Sequence, residues 1–341
     1  MSSLDINANL INSWNNASDS LNRYFPIFIY TFGITGNLLN ILVLSQRPLR
    51  LNPSALFFMF SSISGLIALI SGLTTRMMAG YSIDMTTTVD WICKIRNYVL
   101  YSARTITLWS IAFATIDRWL ASSTNVHKRQ RSTLKNAQRS LFIVHIYAIL
   151  LNIPILYCYQ ANLTGTLRGC YGTTYPCRLI TDFIYTIATT LFPLVLMIIF
   201  GCLTIRNIRQ TRQRILNVTM IEMSHERPTT TVHIHGKHNK KTEKHLLEML
   251  GVQVTLLVIL TCPHGIQKSY TSIISNQTSS SLQSAIANFI LNLFTLLNFT
   301  ASGIPFYIYT LAGGNIFRNA LFDLFKMIFR KMVCHCSQNT V

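Results

Sequence analysis

Seven stretches of this chain are long and apolar enough to cross a lipid bilayer, and they decide what it can fold into. They fall near 24–46, 54–78, 92–118, 140–160, 182–205, 246–271 and 284–311. A helix needs about 20 residues to span the hydrocarbon core. In lipid each backbone N–H and C=O must be satisfied within the structure, so runs of this kind become helices. The expected fold is therefore all-α, a seven-transmembrane helix bundle. No Lys or Arg falls inside the first, fifth or seventh stretch, and the second holds only Arg76 near one end. Pro263 in the sixth and Pro305 in the seventh are tolerable where neighbours satisfy the freed carbonyls. The composition agrees: 12% of residues are charged and the mean hydropathy is +0.36. Soluble domains carry about 25% charged residues.

The basic residues orient the bundle. The first 23 residues are polar and lack a basic start before an apolar run, so the first span is expected to act as a signal anchor with the N-terminus outside. The inner segments are then 47–53, 119–139, 206–245 and 312–341, and they hold 20 of the 29 Lys and Arg. That is the positive-inside pattern. The net charge of +18 thus reads as a membrane topology signal against anionic lipid, with no nucleic-acid partner required. Asn16-Ala17-Ser18 and Asn162-Leu163-Thr164 are sequons on the outer side, which makes Asn16 and Asn162 candidate glycosylation sites. The matches at Asn217 and Asn298 fall inside the cell or in a span and are chance. The expected organisation is an extracellular tail 1–23, the bundle 24–311, an amphipathic eighth helix 312–330 and a cytoplasmic tail 331–341. The protein is expected in the plasma membrane, crossing it several times.

Cys93, Cys158, Cys170 and Cys177 fall at or beyond the outer ends of spans, where disulfides persist. Cys202 and Cys262 lie in spans as packing residues. Cys334 and Cys336 follow the eighth helix and are either lipidation sites or free thiols. In that helix Phe317, Leu321, Leu324, Phe325 and Ile328 share one face, which suits the inner interface. The histidines of 233–245 read as part of a solvated basic loop, because structural zinc sites bring cysteines at tight spacing. No metal or cofactor is expected.

The third stretch ends in ATIDRWLASS, residues 114–123. Cys93 precedes Arg118 by 25 residues, about 37 Å of helix. One helix therefore carries a cysteine to the outer rim and Asp117-Arg118-Trp119 to the inner rim. Gly36-Asn37 stands in the first stretch, Phe192-Pro193 in the fifth and Pro263 in the sixth. Glu243 lies 20 residues before Pro263, and FYIYTLAGGNIFR closes the seventh stretch at 306–318. In order and spacing these elements resemble the rhodopsin-like (class A) G-protein-coupled receptors over about residues 24–330.

That resemblance implies roles. Arg118, with Asp117 on its own helix and Glu243 on the sixth, would hold helices three and six together; activation would release it toward an intracellular heterotrimeric G protein. Trp119 stands where the family has Tyr. Tyr309 is the weakly aligned partner in a degenerate seventh-helix motif, four residues after Pro305 and with no Asn before that proline. Asn37, Pro193, Pro263 and Pro305 would be packing positions. Cys170 is the implied partner of Cys93, with Cys177 the alternative and Cys158 joining whichever is left. The family's second-helix aspartate falls at Gly65, its sixth-helix tryptophan at Thr261 and its fifth-helix tyrosine at Gly201, so the family's relay cannot be copied residue for residue.

Within the family the resemblance implies, amine receptors place an aspartate about 18 residues before the arginine of this motif; here Leu100 stands there with Tyr101 beside it, which argues against an amine ligand. The absence of Lys from 283–311 argues against a retinal Schiff base. Arg104 lies eleven residues below Cys93, inside the membrane, and an intramembrane charge is a functional hypothesis by default. Arg96, Arg104, His264 and Lys268 therefore make a cationic candidate pocket with Leu100 and Tyr101. Arg76, Arg96 and Lys268 could otherwise extend to the outer interface. Such a lining suits a carboxylate, or the carbonyls and amidated end of a peptide. The general look resembles invertebrate peptide receptors of the FMRFamide-like kind. The expected protein is a receptor for an extracellular, peptide-like ligand and no enzyme. The alternative is a seven-helix transporter or channel, which would require inverted repeats and chains of intramembrane acids.

Overall fold

The computed structural model describes residues 3–163, 169–223, 230–274, 281–312, 317–327 and 330. The side chains of 214–250, Glu243 among them, lie outside the described set, as do Cys334, Cys336 and Ile328. The fold is a helical bundle: α1 (Ser3–Leu44), α2 (Pro53–Gly80), α3 (Asp90–Ala121), α4 (Leu134–Leu151), α5, α6 (Thr230–Ile274), α7 and α8 (residues 317–327). α5 comprises Tyr175–Phe183, a π-helical turn Ile184–Leu191 and Phe192–Met223. α7 comprises Ser281–Gly303 and Pro305–Ala312. Among the described residues six helices are long and apolar enough to cross a membrane: α1 to α5, the fourth extended to Cys158, and α7. The remaining expected crossing, 246–271, lies within α6.

Local chemistry sets the ends. Asn52 caps α2 by accepting from Ser54 N, with Pro53 at the first position. Thr133 caps α4 and Thr174 caps α5 in the same way. Within α5 the π-turn shifts the hydrogen-bond register, and the Ala188 carbonyl accepts from Trp109 Nε1 of α3 at 3.1 Å. Apolar side chains such as Phe28, Phe142 and Ile199 stay exposed on the rim, where lipid would cover them.

Three features go beyond the sequence expectations. The seventh crossing is interrupted at Ile304 instead of running through Pro305. A residue before proline is disfavoured in the helical region, so the turn breaks there. The Ser302 carbonyl, left without its helical partner, is taken by Asn37 Nδ2 at 2.9 Å, which joins α1 to α7. The second concerns the polar segment 1–23, expected as an extracellular tail. α1 runs helically from Ser3 across that boundary. Its early turns are held on the bundle: Trp14 packs edge-on against Phe289, Ser18 accepts from Asn292, and Arg23 donates to Gly80 O. In α8, third, Phe317, Ala320 and Leu324 are buried, while Phe325 is exposed.

At one end of the bundle a hairpin pairs Tyr159 with Gly172 and Gln160 with Tyr171. It is pinned by Cys93–Cys170 and Cys158–Cys177. The opposite end carries Arg118. Between them Gly72 lets Phe299 of α7 close on α2. A Cβ at residue 72 would lie 2.1 Å from Phe299 Cζ, whereas one at Gly201 would meet nothing within 4 Å. Gly72→Ala is therefore expected to lower the unfolding temperature of the purified protein by the equivalent of about 1–3 kcal/mol of overpacking. Gly201→Ala should leave it unchanged or raise it slightly, because alanine is the better helix former.

Candidate functional site

The disulfide end opens into a polar vestibule of about 220 Å³. Ser18, Asp19 and Asn22 of α1 form one wall, and Arg76, Arg96, Asp84 and Asn292 stand around it. Arg76 donates to Asn292 Oδ1 at 2.7 Å. Arg96 donates to Ser71 O, Gly72 O, Asn97 Oδ1 and Thr75 Oγ1. These two arginines neither extend into lipid nor float in solvent; they brace α2 against α3 and α7.

Below the vestibule lies a smaller cavity of about 30 Å³, which Arg76 and Arg96 also line. It gathers Leu100, Tyr101 and Arg104 of α3, Tyr185 of α5, His264 of α6, and Thr295, Asn298 and Phe299 of α7. Arg104 is 3% exposed. Its Nη1 donates to Asn298 O at 2.8 Å, Asn298 Oδ1 at 3.2 Å and Ser302 Oγ at 2.7 Å. The guanidinium stacks 4.6 Å from the centre of the Phe299 ring. Asn298 Nδ2 in turn donates to Tyr185 Oη at 2.7 Å. A continuous polar path thus joins Tyr185, Asn298, Arg104, Ser302 and Asn37 across α5, α7, α3 and α1.

Lys268 departs from its expected place. It does not line the cavity, and it does not reach an interface. It is 2% exposed and pairs with Asp182 of α5 at 2.9 Å. Its Nζ also donates to Tyr101 Oη at 2.7 Å and lies 4.1 Å from the centre of that ring. Asp182 further accepts from Ser272 of α6 and from Tyr171 of the hairpin. Burial, reinforced by the Asp182 carboxylate, pushes the Tyr171 phenol well above its usual range, so it remains a donor. A lysine and an aspartate buried in this way need each other, because an unpaired charge in low dielectric is expensive. The residues missed in sequence were Asp182, Tyr171, Tyr185, Asn298 and Ser302. Asp182 carried a signal, as an acid within an apolar stretch; the others are ordinary in sequence and become polar partners only through packing.

At the opposite end a crevice of about 380 Å³ is lined by Asn52, Ser54, Asp117, Arg118 and Ser132. The expected Asp117–Arg118 pair is absent: Asp117 instead accepts from Ser54 Oγ at 2.5 Å and Ser132 Oγ at 2.6 Å. Neighbours in a helix point about 100° apart and do not face one another, which leaves Asp117 to the start of α2 and the α3–α4 loop. Trp119 packs on Phe200 of α5 with ring centres 5.0 Å apart. Tyr309 accepts from Gln253 Nε2 of α6 at 3.0 Å and stacks near Phe58 of α2. Gln253 is a further residue that sequence reading missed.

The 7 transmembrane receptor (rhodopsin family) pattern matches residues 36–309, and the chain belongs to that family. It is similar to mouse C-C chemokine receptor 1-like protein 1, at 26% identity over 311 residues, covering 87% of this chain and 77% of the relative. Rat galanin receptor type 2 is 22% identical over 195 residues, 54% of this chain and 51% of the relative. Human C-C chemokine receptor type 1 is 26% identical over 147 residues, 42% of this chain and 39% of the relative.

The buried pair makes a sharp expectation. Asp182→Asn alone leaves Lys268 buried without its counter-charge and should destabilise the purified protein by about 3–5 kcal/mol. Adding Lys268→Met removes the orphaned charge and should restore most of the loss. Thermal unfolding of the two variants checks this, and an unstable double mutant would show that the pair is not the cause.

Proposed function

We propose that this receptor sits in the plasma membrane with its disulfide end outside, binds a peptide ligand there, and activates a heterotrimeric G protein through the Arg118 crevice. The observation that carries the reading is the pairing of the two openings on one helix. α3 lines the cavity with Leu100, Tyr101 and Arg104 and lines the crevice with Asp117 and Arg118. Disulfides at one end support an outer location for that end. The basic inner segments support the same orientation. Relatives named as chemokine and galanin receptors support a peptide ligand. Kinship with invertebrate FMRFamide-like peptide receptors belongs to the same proposal and rests on the general look of the sequence, including Thr261 in place of the family's sixth-helix tryptophan; it concerns the receptor sequence and leaves the end group of the ligand to the chemistry of the cavity. Asn16 is exposed and Asn162 stands beside the hairpin, which suits glycosylation there. Cys334 and Cys336 are the proposed lipidation sites.

On this reading ligand and G protein bias one two-state equilibrium from opposite sides. Gln253–Tyr309 ties α6 to α7 in the described state, and a contact between Arg118 and Glu243 is proposed to tie α3 to α6. Glu243→Ala is expected to raise basal G-protein signalling, and unchanged basal signalling would remove that lock. A peptide-library screen in cells carrying a promiscuous G protein tests the function itself. Arg104→Ala, expressed normally at the surface, should lose the response to any activating peptide; an unaltered response would take Arg104 out of the ligand site.

A further inference from the structure

Arg104 carries a buried charge that no described residue of its cavity cancels. Among the described residues its lining holds no carboxylate. The nearby acid, Asp182, is already neutralised by Lys268. Asp19 and Asp84 stand in the vestibule above. The partners of Arg104 are neutral dipoles and one aromatic face, all held through Nη1 or the ring stack. Its Nη2 is buried and has no hydrogen-bond partner. Leaving a buried donor of a charged group unmade costs free energy, and so does leaving the charge without a counter-ion. Packing around Arg104 therefore holds a binding capacity in reserve.

Resting on the receptor reading above, the geometry points to the Arg104 cavity as the subsite for a ligand's carboxylate, the free C-terminal carboxylate of a peptide. Three features select this group. A guanidinium offers donors only, and a carboxylate supplies two acceptor oxygens and the cancelling charge. A carboxamide supplies one acceptor, adds donors of its own and leaves the charge standing. The space of about 30 Å³ admits a group of a few atoms, since one water already needs roughly 10–15 Å³. The body of the ligand then occupies the vestibule of about 220 Å³, which Arg76 and Arg96 join to the cavity by lining both. Binding there would bear on α7 directly, because Arg104 already grips Asn298 and Ser302.

The test uses the purified full-length receptor with acetate as the probe, acetamide as its neutral counterpart and chloride as an inorganic anion. Sodium salts are balanced at constant ionic strength by a bulky sulfonate. Acetate is expected to raise the unfolding temperature saturably, chloride much less and acetamide not at all. Arg104→Gln should abolish the rise and Arg104→Lys should keep part of it. An equal rise with chloride would overturn the carboxylate assignment, and no rise with acetate in the unaltered protein would overturn the subsite. Misfolding of Arg104→Gln would not protect the idea, because the unaltered protein alone can refute it. A second arm compares a peptide library made with free-acid and with carboxamide ends, read by G-protein activation. Free acids should activate at about tenfold lower concentration, the ratio one charge-assisted hydrogen bond supplies. Activation by carboxamides alone would overturn the proposal. Silence of both libraries with a positive acetate response would instead count against the peptide-receptor reading and leave the anion subsite supported.

Discussion

A guanidinium held in the membrane interior, away from water, sets the arrangement around it. Arg104 can be kept there only if neighbouring helices turn acceptors toward it, and α7 does so with Asn298 and Ser302. Those two residues then work in both directions. Asn298 reaches Tyr185 of α5, and the Ser302 carbonyl, released by the break before Pro305, reaches Asn37 of α1. One charge thus fixes the mutual positions of four helices in a medium where the hydrophobic effect gives no preference between helix and lipid. Close approach at Gly72 is part of the same device, because it seats the Phe299 ring beneath the guanidinium.

The second buried charge pair plays a different part. Lys268 and Asp182 join α6 to α5 beneath the disulfide-bridged hairpin, and Tyr171 of that hairpin completes the shell around Asp182. The hairpin and the upper part of α6 are therefore mechanically connected. Tyr101 touches both centres: it takes a hydrogen bond from Lys268 and lines the Arg104 cavity. A ligand that shifts Tyr101 would be felt by α6 through Lys268 as well as through His264 in the cavity lining.

Much of this was legible before the fold was known. The seven apolar stretches, the cysteine and arginine 25 residues apart on one helix, and the isolated Arg104 are all one-dimensional signals. The elements that escaped are those that depend on rotation about a helix axis or on a partner far away in sequence. Lys268 looked like a pocket or interface residue because its distance from Asp182, 86 residues in sequence, hides the pair. Asp117 beside Arg118 suggested an ion pair, but consecutive helical residues diverge, and the carboxylate found Ser54 and Ser132. The helical continuation of α1 through its polar start was hidden for a similar reason, since Trp14, Ser18 and Arg23 find their partners only when α2 and α7 are in place.

On the proposed function, the cavity at the disulfide end and the crevice at the Arg118 end report on one equilibrium. If so, coupling must be reciprocal: a G protein seated in the crevice has to change affinity in the cavity by the factor with which the ligand changes G-protein binding. The most direct measurement is binding of a labelled activating peptide to membranes containing receptor and heterotrimeric G protein, with and without a non-hydrolysable guanine nucleotide. Affinity should fall when the nucleotide is added, and the nucleotide effect should vanish in Arg118→Ala. An affinity indifferent to nucleotide in the unaltered receptor would mean that the two openings are not coupled.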